Sequence, residues 1–195
     1  MKRVFLLCMS FLLLFCGCAA AGTREKEEFL RLRTELIARE EVFLRAEVTA
    51  DYGERVYIYL LQYQGSDSRG RISVEEPAEI RDVEAVLEEG QVSLHYDGAV
   101  LDTGAVAGPY SPLQIFPLLV QTWKSGSVRE CWREALEGTD CIAVLFDLTQ
   151  AGEDTTLCRS WFDRESLQPL CAELETDGKT VLRCRFFPEA APEAH

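Results

Sequence analysis

Two hydrophobic periods divide this chain. From Thr23 to Glu41 the apolar residues recur at helical spacing, with Phe29, Leu32 and Leu36 on one face, Ile37 at its margin and many charges elsewhere. Thr23 is placed to cap the first turn, so the stretch predicts an amphipathic helix lying on a sheet. At Val42 the period falls to two. Val42, Leu44, Ala46, Val48 and Ala50 alternate with Phe43, Arg45, Glu47, Thr49 and Asp51, the pattern of a strand with one buried face. The run Arg55 to Gln64 is apolar or aromatic on both sides, with Val56, Ile58 and Leu60 on one and Tyr57, Tyr59, Leu61 and Tyr63 on the other. A three-residue loop, Tyr52-Gly53-Glu54, would pair Ala50 with Val56, Val48 with Ile58 and Ala46 with Leu60. A two-residue loop would set aliphatic residues opposite polar ones, and the first register is therefore expected. It leaves the tyrosines as a row on the reverse face, opposite Thr49, Glu47 and Phe43.

Further along, Gly65 to Gly70 reads as a turn cluster and Arg71 to Glu75 as a short strand stopped by Pro77. Glu79 to Glu89 fits a helix ending at Gly90 or a strand over Val83 to Leu87, and the surrounding meander favours the strand. Val92, Leu94 and Tyr96 alternate with Ser93 and His95, and Asp97-Gly98 predicts a tight turn into Ala99 to Leu101. Ser111-Pro112 has the form of a helix start, followed by Leu113, Phe116, Leu119, Val120 and Trp123 on one face and stopped by Gly126. Pro117 inside that helix predicts a missing backbone bond and a kink. Ser127 to Leu136 suits either a helix or a strand. Cys141 to Leu148, Thr156 to Phe162, Pro169 to Glu175 and Thr180 to Phe187 read as strands. A loop at Asp177-Gly178-Lys179 sets Leu174 opposite Leu182, Ala172 opposite Cys184, Leu170 opposite Phe186 and Glu173 opposite Arg183. Cys171 then falls on the polar face and is the expected exposed thiol. Glu189 to His195 reads as a loose acidic tail.

The start of the chain departs from both periods. Lys2 and Arg3 precede a run from Val4 to Phe15 that is apolar apart from Ser10, and Phe15-Cys16-Gly17-Cys18 closes it. Its layout is that of a secretory signal. Twelve residues at about 1.5 Å each reach only ~18 Å, against a hydrocarbon core of ~30 Å, so a spanning helix is disfavoured. Gly17-Cys18 resembles the end of a bacterial lipobox, although Phe15 and Cys16 stand where an aliphatic and a small residue are usual. Residues 1–17 are thus expected to be removed, Cys18 to carry a lipid anchor outside the membrane, residues 18–22 to serve as linker, and 23–188 to form one domain. Two acyl chains hold stably, each buried methylene contributing ~0.8 kcal/mol.

Composition narrows the function. The formal charge of −13 becomes −15 once Lys2 and Arg3 leave, which excludes nucleic acid as a natural partner and makes anionic headgroups repel the body. With 47% hydrophobic residues the remaining 178 suffice for a substantial core. Five cysteines follow the anchor: Cys131, Cys141, Cys158, Cys171 and Cys184. An odd number leaves at least one thiol outside any intrachain framework, and disulfides and buried thiols both remain open. Without a Cys-x-x-Cys spacing or a second internal histidine besides His95, neither a metal site nor a Ser-His-Asp triad has its raw material. Neither an enzyme nor a cofactor is expected.

The order of elements, from lipobox and amphipathic helix through a long antiparallel run, the Ser-Pro-led helix, Trp161-Phe162-Asp163, Pro169-Leu170 and an Asp-Gly hairpin, resembles the LolA/LolB lipoprotein-carrier superfamily. Within it, the chain is similar to LolA-like germination lipoproteins of clostridial spore formers. The resemblance implies an α+β fold, a curved antiparallel sheet forming an incomplete β-barrel with helices over its concave face, and a strand at Val83 to Leu87. It implies one of two roles: a non-catalytic accessory for an envelope or spore-cortex protein, or a carrier of acyl chains in an apolar cleft. The candidate cleft lining is Leu44, Val48, Ile58, Phe116, Leu119, Val120 and Trp123. Permanent anchoring at Cys18 suits the accessory better.

Overall fold

The alternation starting at Val42 builds the centre of one antiparallel sheet, and the chain extends that sheet outward and then back. The computed structural model describes residues 21–66, 69–88, 91–104, 111–150 and 154–188; Cys18, the signal and the acidic tail lie outside them. Helix α1 (Ala21–Ala38) leads into β1 (Val42–Asp51), β2 (Val56–Gly65), β3 (Arg69–Glu76), β4 (Glu84–Glu88), β5 (Gln91–Tyr96) and β6 (Ala99–Gly104). Helix α2 (Ile115–Ser125) follows. Strands β7 (Ser127–Leu136), β8 (Thr139–Asp147), β9 (Thr156–Asp163), β10 (Pro169–Thr176) and β11 (Lys179–Phe186) complete the order. The eleven strands form one open sheet in the order β6-β5-β4-β3-β2-β1-β11-β10-β9-β8-β7. Because β11 returns to pair with β1, the two meanders share one inner face, and α1 lies on it against β7, β8 and α2.

Most expected elements are present, with shifted ends. Helix α1 starts at Ala21, so Thr23 lies within it, and Ile37 is exposed while Phe29, Leu32 and Leu36 are buried. Ser111-Pro112 opens a turn, not the helix: Leu113 N donates to Ser111 Oγ at 3.3 Å, and α2 begins three residues later. This move also disposes of the expected kink. Pro117 is the third residue of α2, where a backbone N–H would have had no helical partner in any case. The ambiguous stretch 127–136 is strand. Asp97-Gly98 forms the expected turn, with both residues at positive φ (47° and 78°). At Asp177-Gly178 the turn has two residues, and a bulge after Leu174 restores the expected Ala172–Cys184, Glu173–Arg183 and Leu174–Leu182 pairs.

The β1–β2 register is the main correction. Ala50 faces Tyr57, Val48 faces Tyr59, Ala46 faces Leu61 and Leu44 faces Tyr63, so the tyrosine row points inward and Val56, Ile58 and Leu60 point outward opposite Asp51, Thr49 and Glu47. Alternation on β1 fixes that strand's buried face, but β2 is apolar on both sides and offers no such discrimination. What decides it is Tyr63. Its ring stacks on Phe116 at 5.6 Å and occupies a slot where Gly65 and Gly70 face each other across β2 and β3. A Cβ on either glycine would run into that ring. The glycine cluster read as a turn is therefore also the seat of a core aromatic.

Candidate functional site: the seam between the helices and the sheet

The space between the helices and the inner face is where the sequence resemblance places a cleft, and here it is a seam. In α2, Ile115, Phe116, Leu119, Thr122 and Trp123 occupy one helical face and are buried. Trp123 meets Phe162 edge-on at 5.3 Å and Phe186 at 5.7 Å, and its indole N–H donates to Ser160 Oγ at 2.8 Å. Phe116 lies between Tyr63 and Phe186, the latter at 6.4 Å. From α1, Phe29 touches Phe146 at 5.6 Å and Phe162 at 5.9 Å. A continuous aromatic chain thus crosses the seam from β2 to β8, at contact distances that leave its members in each other's van der Waals surface.

Of the residues expected to line a cleft, Leu44, Val48, Phe116, Leu119 and Trp123 come together here, all buried, and Val120 is half-buried beside them. Ile58 does not join them. It stands on the outer face, 59% exposed. The far wing is less closed: the inner-face row Tyr63, Ile72, Ala85, Leu94, Leu101 is buried at its start, half-buried at Leu94 and 62% exposed at Leu101.

Arginines hold the helices in place. Arg33 of α1 donates from Nε to Trp123 O and from Nη2 to Gly126 O, both at 2.8 Å, satisfying carbonyls at the C-terminal end of α2. Arg164, in the turn between β9 and β10, grips Glu28 of α1 through two hydrogen bonds of 2.8 and 2.9 Å and reaches Asp140 at 2.9 Å. The hydrogen bonds from Arg164 hold the Glu28 carboxyl below its ordinary range.

All five described cysteines are free. Cys158 and Cys184 lie in the main core, and Cys171 is buried too, correcting the expectation that it is the exposed thiol. It does sit on the outer face opposite Arg185, but Trp161, Trp132, Leu136 and Leu170 build a second apolar cluster over it. Burial pushes the thiols of Cys131 and Cys171 up to about 11 and that of Cys158 up to about 12, and it raises that of Cys184 well above the ordinary thiol range. Since the thiolate is the reactive form, these sulfurs should be inert in the native state at neutral pH. We expect a colorimetric thiol reagent to label the native protein slowly, half-buried Cys131 first, and all five at once after denaturation. A native burst of several thiols would contradict the burial described. Among the described residues, no group of three or more His, Cys, Asp or Glu side chains is placed to hold a metal ion. His95 is half-buried on the outer face of β5, with Nε2 3.0 Å from Ser93 Oγ.

An open eleven-stranded antiparallel sheet with two helices on its inner face is the architecture that the sequence resemblance implied. No protein-family model matches the chain, and no curated protein matches it. Among solved structures, LprF from Mycobacterium bovis is 10% identical with a TM-score of 0.51, covering 89% of this chain and 96% of its own. MucB is 16% identical with a TM-score of 0.50, over 89% of this chain and 62% of MucB. A LolA superfamily protein from Nitrosomonas europaea is 9% identical with a TM-score of 0.41, over 90% and 96%. At these identities the likeness is one of fold alone.

Proposed function

We propose that this chain is a non-catalytic binding module, anchored through Cys18 on the extracytoplasmic face of the membrane, that serves as an accessory to an envelope or spore-cortex protein. The observation that carries this reading is the filled seam. Where a carrier needs apolar space, Phe29, Phe116, Trp123, Phe162 and Phe186 pack against one another and against the sheet. The apolar groups left over face outward instead. Val56 and Ile58 form an exposed strip along β2, with Phe43 and Phe187 on the same outer face. Exposed apolar groups grouped on one face suit a protein contact.

One observation favours a carrier as the second reading. The inner face opens toward Leu101, and an acyl chain laid along Leu94 and Leu101 would not need the filled half of the seam. The two roles separate by position. A photo-crosslinking residue at Ile58 should yield a protein adduct in intact cells under the first reading, and one at Leu101 should yield none. Lipid adducts from Leu101, with no protein adduct from Ile58, would reverse the choice.

A further inference from the structure

The outer face carries a second concavity, remote from the seam. An open groove of about 720 Å³ crosses β9, β10, β11 and β1, and the tip of the β7–β8 hairpin, Leu136 and Glu137, overhangs one end. Its floor is apolar, formed by Trp161, Leu170 and Cys171. Three guanidinium groups, Arg159, Arg183 and Arg185, border it together with three carboxylates, Glu47, Glu137 and Glu173, and Glu47 lies at the β1 edge beside Arg185. Arg183 donates to Glu173 Oε1 from Nε at 2.7 Å, and Arg185 is paired with Glu137, so two of the three charges are already met.

Arg159 is different. It lies over two indoles, its guanidinium carbon 5.7 Å from the Trp161 ring centre and 6.0 Å from that of Trp132. Its cross-strand neighbour is Glu173, the obvious partner, yet that carboxylate is turned to Arg183. Arg159 Nε is buried and meets no acceptor among the described residues. In a chain with 33 acidic and 20 basic residues, a cation held on an aromatic shelf with a buried, unmet donor is a costly arrangement. A guanidinium so placed has its remaining donors fixed in a planar fork that suits a carboxylate.

We propose that this groove binds a carboxylate carried on an apolar body, with Arg159 taking the charge and Trp161, Leu170 and Leu136 taking the body. Arg159, the guanidinium of this groove that is not ion-paired among the described residues, matches a monoanion. A phosphate dianion would be left half-compensated in a strongly negative protein. The site is independent of the seam and stands whether or not acyl chains enter there. Its ligand is either a free organic acid or the C-terminus of a polypeptide, which share this chemistry.

The test titrates the full chain, by tryptophan fluorescence, with 4-phenylbutyrate and with N-acetyl-Ala-Ala-Phe, each as free acid and as primary amide. Trp132 and Trp161 report directly on Arg159. Both acids should saturate, each amide should bind at least about tenfold more weakly, and Arg159→Gln should lose about tenfold or more for the acids. Tighter binding of the tripeptide assigns a polypeptide C-terminus, and equal or tighter binding of phenylbutyrate assigns a small acid. Amides that bind as well as acids, or acids that fail to saturate at millimolar concentration, overturn the proposal. So does an Arg159→Gln variant with unchanged affinity. Should that variant not fold, Arg159→Lys keeps the charge without the fork and must also weaken the acids; unchanged affinity there is equally fatal.

Discussion

Trp123→Ala should lower the unfolding free energy by about 3–5 kcal/mol, a large share of the ~5–15 kcal/mol available to a domain of this size. The indole is 1% exposed and touches Phe162 and Phe186, so truncation leaves a void between α2 and two strands at once. It also removes the donor to Ser160 Oγ, leaving a buried hydroxyl that among the described residues has only the Cys158 sulfur, 3.7 Å away, within reach. Urea denaturation measures this directly, through a lower midpoint at unchanged slope. Ser160→Ala, which removes the acceptor while keeping the ring, should cost only about 1 kcal/mol. If Trp123→Ala cost less than that, the seam would be a yielding space and not a packed core.

Phe29→Ala should cost a similar ~3–5 kcal/mol and, unlike Trp123→Ala, should act mainly on α1. Phe29 is fully buried between Phe146 and Phe162, and its ring also lies 4.9 Å beneath the Arg33 guanidinium. Without it, α1 keeps Leu32, Leu36 and the Arg164 grip on Glu28. That grip depends on pH with a definite sign. The Glu28 carboxyl is lowered in the folded state, so its contribution is present above the unfolded value near ~4.3 and is lost as pH falls through the lower folded value. Hydrogen exchange should therefore show the α1 amides of Phe29→Ala opening ahead of the sheet, and more so in acid below about pH 4. Uniform opening of helix and sheet together would mean that α1 is not a separable element.

The sequence made much of this visible, for reasons that differ along the chain. Strand β1 was readable because polar and apolar residues alternate cleanly, and the Glu173–Arg183 pair gave away the β10–β11 register through its charges. Strand β2 was not readable, because Val56, Ile58 and Leu60 are as apolar as the side that is buried. Its orientation depends on a slot formed by two glycines from different strands, a relation no local period contains. Cys171 misled for a related reason: its own strand is polar on that face, and the cover comes from Trp161 and Leu136 on other strands. For the seam, Phe116, Leu119 and Trp123 were legible as a helical stripe, but a stripe of that kind describes a filled core and an empty cleft equally well. Arg159 gave no signal at all in the sequence. Its importance arises from Glu173 choosing a different partner.

The central claim is that the seam between the helices and the sheet is occupied by the chain's own aromatic side chains and holds no cargo. Native mass spectrometry of the full chain, purified from its own membrane without detergent, tests it most directly. The account predicts one lipid-bearing species, the polypeptide with its covalent lipid at Cys18 and no phospholipid or other acylated molecule bound non-covalently. A discrete additional mass that leaves on collisional activation and proves to be a phospholipid or another acylated molecule would contradict it.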